Sequence, residues 1–580
     1  MPDLTSSLSR TGAPPLPSSG AATHVADAVA LSLAQVGIDT AIGLDDPQPL
    51  FAALRQSPLR VVMIHDERSG AFAADGYARA TNRPALCAAV AGPGATNLAS
   101  GLLEAFRASS PMLAVIGEPK SPRPGVRGFQ GLEHDAVLQP VCKAVIRIDD
   151  PANGPAAVEH AAALACTGRP GPVVLLVANA LWSASLPADV SVDQVDGRAS
   201  VPISVDGLAA ATSALLAARR PIIVAGGGAV TAEAREPLTR LAEALQAPVA
   251  TTLLGKGAID ETHPGSAGVV SGYTSGASGH GRVALELLGE ADTILVLGSD
   301  LDPITTVGGT WPRADATLIR VDIDPAEVTT HPGIQILGDA RSVTEGLCRS
   351  LERSAGDTAE VHARRDWLAR ASTACAEQRA RVEAKDASAA GPGVWPGALA
   401  VELDRQLAPG DAIVTDASYS SAWALDRVRQ TSPQRTVLAP RGSGVLGWGL
   451  PAALGVKLGR LDSRVTCLTG DGGLYFSLAE LESAVRLSLP LTLVLLDNRS
   501  YGFQRHADKR RLGYDNADLR FAEHVDYGLL ARAFGWRSSR VTDMDEFAAA
   551  YADALASDEP TFLDVDVDPD VFPPLVEFDR

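Results

Sequence analysis

Short, unbroken apolar runs punctuate the chain, each followed by a longer stretch rich in alanine and leucine. VVMI at 61–64, MLAVIG at 112–117, PVVLLV at 172–177 and PIIVAG at 221–226 are of this kind. So are TILVLG at 293–298, LIRVDID at 318–324, RVTCLTG at 464–470 and LTLVLLDN at 491–498. A strand with one wet face alternates apolar and polar side chains. A continuous apolar strand is covered on both faces, the condition of a parallel sheet flanked by helices. Strand and helix patterns alternate from end to end, so the predicted fold class is α/β, with three doubly wound, mainly parallel-sheet domains.

The pattern lapses in two places. One is the polar stretch LPADVSVDQVDGRASVPIS at 186–204; in the other, over 351–396, a charged helical segment runs into DASAAGPGVWPG. Both read as linkers. The predicted organisation is a flexible tail over 1–20, an N-terminal domain over 21–190 and a central domain over 200–350. A linker over 351–396 and a C-terminal domain over 397–580 follow. A chain of 580 residues is too long for one core, as this division requires. The first and last blocks share a rhythm of strand, Gly-rich turn and helix without a repeat at the level of residues.

Composition adds exclusions. Hydrophobic residues make up 46% and charged residues 21%, ordinary for globular protein. No run of about eighteen apolar residues occurs, and the Ser/Pro/Gly-rich first twenty lack an apolar signal core, so a cytoplasmic protein without a membrane partner is expected. A net charge of −19 argues against a nucleic-acid surface. The six cysteines form no CxxC pair and the ten histidines no HExxH, so a metal cage built from protein alone is not predicted.

The strand VTCLT ends in Gly470-Asp471-Gly472-Gly473, and the helical pattern LAELESAVRLS follows. Bare backbone at the carboxyl end of a parallel strand admits a ligand, and a helix N-terminus attracts phosphate. An aspartate there repels phosphate unless a hard divalent cation lies between them. The next strand ends in Asp497-Asn498, an oxygen donor that neighbouring parallel strands bring alongside. The turn therefore predicts a metal-bridged diphosphate; read alone, it also suits an ordinary strand–turn–helix with a solvated aspartate.

This block resembles the signature of thiamine diphosphate enzymes, a GDG followed about two dozen residues later by a pair of asparagines. The resemblance implies that Asp471 and Asn498 ligate Mg2+ through side chains and Ser500 through its carbonyl. It also sets Gly470, Gly472, Gly473, Tyr501 and Gly502 against the cofactor. Asp497 stands where the first asparagine is usual, which leaves the implied ligand in place.

IHDERSGAFAADGYARATNRPALCAAVAGPGATN, at 64–97, is similar to the pyrimidine-binding domain of the acetohydroxyacid (acetolactate) synthase and benzoylformate decarboxylase group. Counting back from the GYARA at 76–80 selects Glu67 rather than Asp66. Its implied role is to bond the aminopyrimidine ring nitrogen, favouring the imino form that activates the thiazolium carbon. Gly92 and Pro93 open the matching GPGATN turn against the cofactor. Phe129-Gln130 matches a family pair near the reacting centre, which makes Gln130 the second catalytic candidate.

Residues 442–447, GSGVLG, formally match GxGxxG, and a dinucleotide turn is the competing reading; no acidic residue closes a strand about twenty positions on. The wider GSGVLGWGLPAALG resembles the family segment that supports a bent cofactor, with Leu446 as the apolar wedge and Gly444 beside it. DASYSSAW at 416–423 occupies the place of the diphosphate loop, with Ser420 and Ser421 as hydroxyl donors.

PIIVAGGGAV at 221–230 and LIRVDIDPAEV at 318–328 resemble a central domain that carries a non-redox FAD in acetohydroxyacid synthases. Here SDLDPITT replaces an arginine-containing stretch of the flavin-binding relatives, so FAD is the less favoured expectation. Gly226-Gly227-Gly228 reads equally as a structural turn.

The function the resemblance implies is a thiamine diphosphate- and Mg2+-dependent carbon–carbon lyase or carboligase. It would act on a 2-keto acid and pass the acyl-anion equivalent to an aldehyde or ketone, as acetolactate synthases do. Two readings remain beside it: a simple 2-keto acid decarboxylase or other C–C-cleaving lyase, and an idle homologue acting as a binding or regulatory subunit. No His-His pair of a dedicated decarboxylase occurs, and GFQRHADKRRLGYDN at 502–516 replaces the synthases' tryptophan-bearing stretch. His506 with Arg505, Lys509, Arg510 and Arg511 reads as a lid for an anionic substrate or as a solvated loop. A homodimer or homotetramer with active sites at the subunit interface is expected.

Overall fold

The computed structural model describes residues 24–119, 128–186, 203–352, 358–523 and 525–579; the expected tail and most of the polar stretch 186–204 lie outside them. Three six-stranded parallel sheets follow one another along the chain. The first holds β1 (Thr40–Gly43), β2 (Arg60–Met63), β3 (Ala85–Val90), β4 (Met112–Glu118), β5 (Ala144–Ile148) and β6 (Pro172–Ala178), in the order β2-β1-β3-β4-β6-β5. The second holds β7 (Pro221–Ala225), β8 (Val249–Thr251), β9 (Ser266–Val269), β10 (Thr293–Leu297), β11 (Thr317–Asp322) and β12 (Ile334–Leu337), ordered β12-β11-β10-β7-β8-β9. The third holds β13 (Ala412–Thr415), β14 (Thr436–Leu438), β15 (Val465–Gly470), β16 (Thr492–Asp497), β17 (Arg537–Val541) and β18 (Thr561–Asp566), ordered β14-β13-β15-β16-β18-β17.

The first and third sheets thus share one strand order, although no residue-level repeat joins them. Read from its other edge, the central sheet has the 3-2-1-4-5-6 order of dinucleotide-binding sheets, which reverses between β7 and β10. The apolar runs are its and its neighbours' strands: β7, β10 and β13 are buried at every position, as sheets covered on both faces require.

Six helices matter for the site: α1 (Glu67–Thr81), α2 (Pro93–Ala108), α3 (Ala359–Ala387), α4 (Tyr419–Arg427), α5 (Gly449–Gly459) and α6 (Gly502–Arg511). α1 and α5 join the first and third sheets at van der Waals distance. A Cβ on Gly76 would overlap Ala452 backbone, and one on Gly455 would overlap the Ala73 carbonyl. Around this contact Trp448 Nε1 donates to Asp75 Oδ2 at 2.8 Å, and the Arg79 guanidinium lies 5.0 Å over the Trp448 ring. One apolar core accordingly runs from Phe72 and Tyr77 into Leu450 and Leu454. Gly455→Ala should cost about 3 kcal/mol, because a methyl group there has to push two backbones apart. Denaturant unfolding would measure it, and an unchanged midpoint would contradict the packing.

The expected linker 351–396 is dominated by α3, a spine with one polar and one buried edge. Trp367 Nε1 donates to the Pro221 carbonyl at 2.8 Å at its central-domain end. Near the other end Asp386 accepts from Trp395 Nε1 (2.9 Å) and Arg427 Nε (2.7 Å). No helix among the described residues is long and apolar enough to cross a membrane.

Candidate active site

Neighbouring parallel strands bring their carboxyl ends together, and β13, β15 and β16 do so here to form a cleft. Gly470, Asp471, Gly472 and Gly473 line it from the end of β15, and Asn498, Ser500, Tyr501 and Gly502 from beyond β16. Ser418, Tyr419 and Ser420 add the N-terminus of α4, whose first amides have no helical partner and favour an anion. Leu446 lines the opposite side and is half-buried. The glycines are needed for space: a Cβ on Gly472 would come 2.8 Å from the Tyr501 ring, and one on Gly502 would come 2.6 Å from Asn498 Nδ2.

Sequence reasoning passed over Asp416, the residue that organises this cleft. It follows β13, is 1% exposed, and accepts from the amides of Ala417 (2.6 Å), Gly447 (3.0 Å) and Gly449 (3.3 Å). A Cβ on Gly473 would lie 2.8 Å from its Oδ2. Burial pushes its carboxyl up to about 6 even against those donors. Its signal in the sequence was an aspartate closing the apolar strand AIVT.

Asp471 is 1% exposed; its Oδ1 accepts from the Gly472 amide at 2.8 Å, and its Oδ2 is buried without a hydrogen-bond partner. Burial raises its carboxyl above the ordinary range, and the Asp497 carboxylate beside it adds to the shift. Such an orphaned oxygen in a cleft built for an anion suits a divalent cation, which would satisfy the carboxylate and bridge it to diphosphate. Asn498 is turned onto its own loop, Oδ1 accepting from the Ser500 amide at 3.1 Å and hydroxyl at 3.3 Å. Among the described residues no three His, Cys, Asp or Glu side chains gather as a metal cage, so a cation here would draw its other ligands from amide, carbonyl and ligand oxygens. Asp497 itself does not line the cleft; its Oδ2 lies 3.6 Å from Arg540.

The expected hydroxyl donors are otherwise engaged. Ser420 Oγ donates to the carbonyls of Asp416 and Ala417, both at 3.0 Å. Ser421 does not line the cleft: its Oγ donates to the Ser418 carbonyl at 2.8 Å and accepts from Arg441. A serine in the first turn of a helix bonds back to its own backbone more readily than to a ligand. Gly444 also stands away from the cleft, at an exposed corner with φ +71° that explains its identity.

The N-terminal candidates gather at the carboxyl edge of the first sheet. Glu67 is the first residue of α1, after Asp66 caps the helix by accepting from the Arg68 amide at 2.7 Å. Its Oε2 accepts from Asn97 Nδ2 at 3.0 Å, and its Oε1 would lie 2.9 Å from a Cβ on Gly94. Gly92 (φ +65°) caps α2 ahead of Pro93, and a Cβ there would come 2.8 Å from the Gln130 carbonyl. Gln130 is therefore held beside the GPGATN turn, with Phe129 88% exposed next to it. None of Glu67, Gly92, Pro93 and Gln130 lines the C-terminal cleft of the same chain. Its enclosed volume of about 60 Å³ matches a few waters, enough for part of a cofactor at most.

The reading of His506 with Arg505, Lys509, Arg510 and Arg511 as a lid or a solvated loop is corrected in part: Lys509, Arg510 and Arg511 are exposed, but Arg505 and His506 are buried. Arg505 is 1% exposed and paired with Asp515 (2.7 Å) and Asp570 (2.6 Å), while Arg511 pairs with Glu577. His506 is buried, its Nδ1 2.7 Å from Tyr419 Oη, and burial holds it below its usual range. α6 is thus clamped by the C-terminal segment instead of standing free in solvent. Asp570 and Glu577 lie far along the chain, where spacing within 502–516 carries no sign of them.

The carboxyl ends of β7 and β10 border a larger cavity of about 660 Å³, walled by all three domains. A Cβ on Gly228 would come 2.8 Å from Gly298 Cα, so this glycine serves the packing of one turn on another.

Comparison with known proteins agrees with the fold. Residues 23–138 match the thiamine pyrophosphate enzyme N-terminal TPP binding domain, 208–347 the central domain and 416–565 the C-terminal TPP binding domain. A probable acetolactate synthase large subunit of Methanocaldococcus jannaschii is 29% identical over 546 residues, 91% of this chain and 89% of that one. An acetolactate synthase large subunit of Parasynechococcus marenigrum is 30% identical over 562 residues, covering 92% and 86%. The isozyme 2 large subunit of Escherichia coli is 29% identical over 542 residues, covering 92% and 93%. Three matched domains in the family's order, with near-full-length relatives, establish that the chain belongs to the thiamine pyrophosphate-dependent enzymes of the acetolactate synthase group.

Proposed function

We propose that this chain is a thiamine diphosphate- and Mg2+-dependent carboligase. It would decarboxylate a 2-keto acid and join the acyl unit to a second carbonyl, an aldehyde or ketone. The observation that carries the reading is the buried, unpartnered Asp471 oxygen in a cleft formed by a helix N-terminus and glycine backbone. The bound cofactor supplies a carbon acid whose anion attacks carbonyls. Asp471, Asn498 and the Ser500 carbonyl would hold the metal, the α4 amides and Gly470–Gly473 would seat the diphosphate, and Leu446 would wedge the cofactor bent. Glu67 would hold the proton at the pyrimidine nitrogen, and Gln130 would meet the substrate side. The joint presence of Glu67, Asp471 and Asn498 speaks against an idle homologue, and FAD remains the less favoured additional cofactor.

Because Glu67 and the C-terminal cleft do not meet within one chain, the active site is proposed to form between two copies. The relatives are named large subunits, which for them names an assembly with a smaller chain; the same association is proposed here over a purely homo-oligomeric enzyme. The test mixes Glu67→Gln and Asp471→Ala chains and assays a panel of 2-keto acids, with and without aldehyde acceptors, for CO2 and coupled product. Sites shared between copies leave one intact site in each mixed dimer, so about a quarter of wild-type activity returns. Sites within single chains return none. Release of CO2 without coupled product on every acceptor would favour the simple decarboxylase.

A further inference from the structure

A pocket of about 290 Å³ lies between the central domain and the C-terminal segment. Tyr273, Ile304 and Val307 line it from the central domain, Phe503 from the start of α6, and Leu575 and Val576 from the C-terminal segment. Backbone bonds tie these walls together. The Gly272 amide donates to the Ile304 carbonyl at 2.8 Å, and the Val576 amide donates to the Gly272 carbonyl at 2.9 Å. Three segments distant in sequence are thus held in register, and the pocket is built into their packing.

α6 and the C-terminal segment also wall the thiamine cleft. Gly502 and Val571 line the cleft, while Phe503 and Leu575 line the pocket. The Phe503 ring stands edge-on to Tyr419, another cleft residue, at 6.1 Å between centroids. The cleft itself, at about 60 Å³, has room for part of the cofactor only, so a substrate has to be received beside it.

The lining of the pocket is apolar and holds no cation. Glu577 is its only charged residue, and the Tyr273 hydroxyl is its only other polar side-chain group. Basic side chains nearby are engaged elsewhere. Arg505 pairs with Asp515 and Asp570, Arg511 with Glu577, and Lys509 lies 4.0 Å from Asp570. Arg510 lies over the Phe578 ring at 5.6 Å. The Arg441 guanidinium lies 4.6 Å over the Tyr273 ring and donates to Ser421 Oγ. Its loop is pinned where Glu104, from α2, accepts from the Gly442 amide (2.9 Å) and the Ser443 amide (2.6 Å). A carboxylate placed in this pocket would give up its water for one phenol hydroxyl and face the Glu577 carboxylate, a cost that an uncharged group does not bear. A branched or aromatic hydrocarbon group gains by leaving water there.

We propose that this pocket receives the acceptor of the carboligation, and that the acceptor is a neutral aldehyde or ketone with a branched or aromatic apolar substituent, in place of a second 2-keto acid. The proposal rests on the thiamine reading of the cleft. In the net reaction the donor's bond between its carboxylate and carbonyl carbons breaks and CO2 leaves. The electron pair left behind forms the bond to the acceptor's carbonyl carbon, and the acceptor's oxygen takes up a proton, giving a hydroxy ketone.

The test uses the full-length protein with thiamine diphosphate and Mg2+, whose binding is first measured by calorimetry. The 2-keto acid that releases CO2 fastest serves as donor, with acetaldehyde, 3-methylbutanal, 4-oxobutanoate and 2-ketobutyrate as acceptors. Coupled product is scored by mass spectrometry. The kcat/KM for 3-methylbutanal should exceed that for acetaldehyde and for both anions by about tenfold or more, because each buried methylene adds to binding and a buried carboxylate subtracts from it. A smaller preference over any of the three overturns the proposal, as does CO2 release without coupled product. Two variants alter the pocket itself. A Cβ on Gly272 would meet nothing nearer than the Ile304 carbonyl at 3.7 Å, and its φ lies outside the left-handed region, so Gly272→Leu fills open space. Ile304→Ser makes an exposed stretch of wall polar. Each should lower the preference for 3-methylbutanal over acetaldehyde by at least about threefold. An unchanged preference in both variants overturns the pocket as the acceptor site. Absence of thiamine diphosphate binding overturns the thiamine reading, and the proposal with it; bound cofactor without the acceptor preference overturns the pocket alone.

Discussion

Glu67→Gln is expected to retain thiamine diphosphate and Mg2+ and to lose about a thousandfold in turnover, the usual scale of a positioned proton-transfer group. The substitution keeps the side chain's size and its bond to Asn97, whose Nδ2 lies 3.0 Å from Glu67 Oε2. What it removes is a group that can hold a proton at the pyrimidine nitrogen and give it back. Glu67 starts α1 behind its Asp66 cap, so the helix and the α1–α5 contact should survive the change. Calorimetry with cofactor and metal, beside steady-state turnover on the preferred 2-keto acid, separates the two effects. Turnover near wild type would end the assignment, and loss of cofactor binding would make Glu67 a cofactor anchor instead.

Asp471→Ala should weaken metal-dependent cofactor binding by more than about a hundredfold, since it removes the buried carboxylate proposed to hold the cation. The same change relieves a buried acid whose Oδ2 has no partner. Folding stability without metal should therefore hold or rise, because a buried carboxylate without a cation is costly to keep. A melting curve without metal and a titration with Mg2+ plus thiamine diphosphate read the opposing effects side by side. Unchanged cofactor affinity would remove the metal site from this cleft.

Much of the architecture was legible because burial on two faces leaves a local trace. Val224, Leu295 and Val494 are each in unbroken apolar runs, and each run became an inner strand of a parallel sheet. Strand-end turns were legible for a related reason: glycine beside an acid, as at 470–473, is costly unless a ligand or a close backbone needs it. Ser420, Ser421 and Gly444 show the limit of the same reasoning. A hydroxyl or a glycine in the right segment says nothing of its direction, and these three turn to their own backbone or to a corner. Arg505 shows another limit, since its partner Asp570 lies beyond any local pattern.

By itself, then, the sequence determined the α/β class, the succession of three sheets and the Gly-rich strand-end turn of the candidate cleft, because periodicity and turn chemistry act over a few residues. Only the tertiary structure decided that the first and third sheets share a strand order and that Asp416 and Glu104 hold the loop bearing Leu446. It also decided that Glu67 stands outside its own chain's cleft and that all three domains wall the central cavity. These depend on contacts between residues hundreds apart, such as the Glu104 carboxylate on the Ser443 amide, and long-range pairing leaves no periodic mark on the chain.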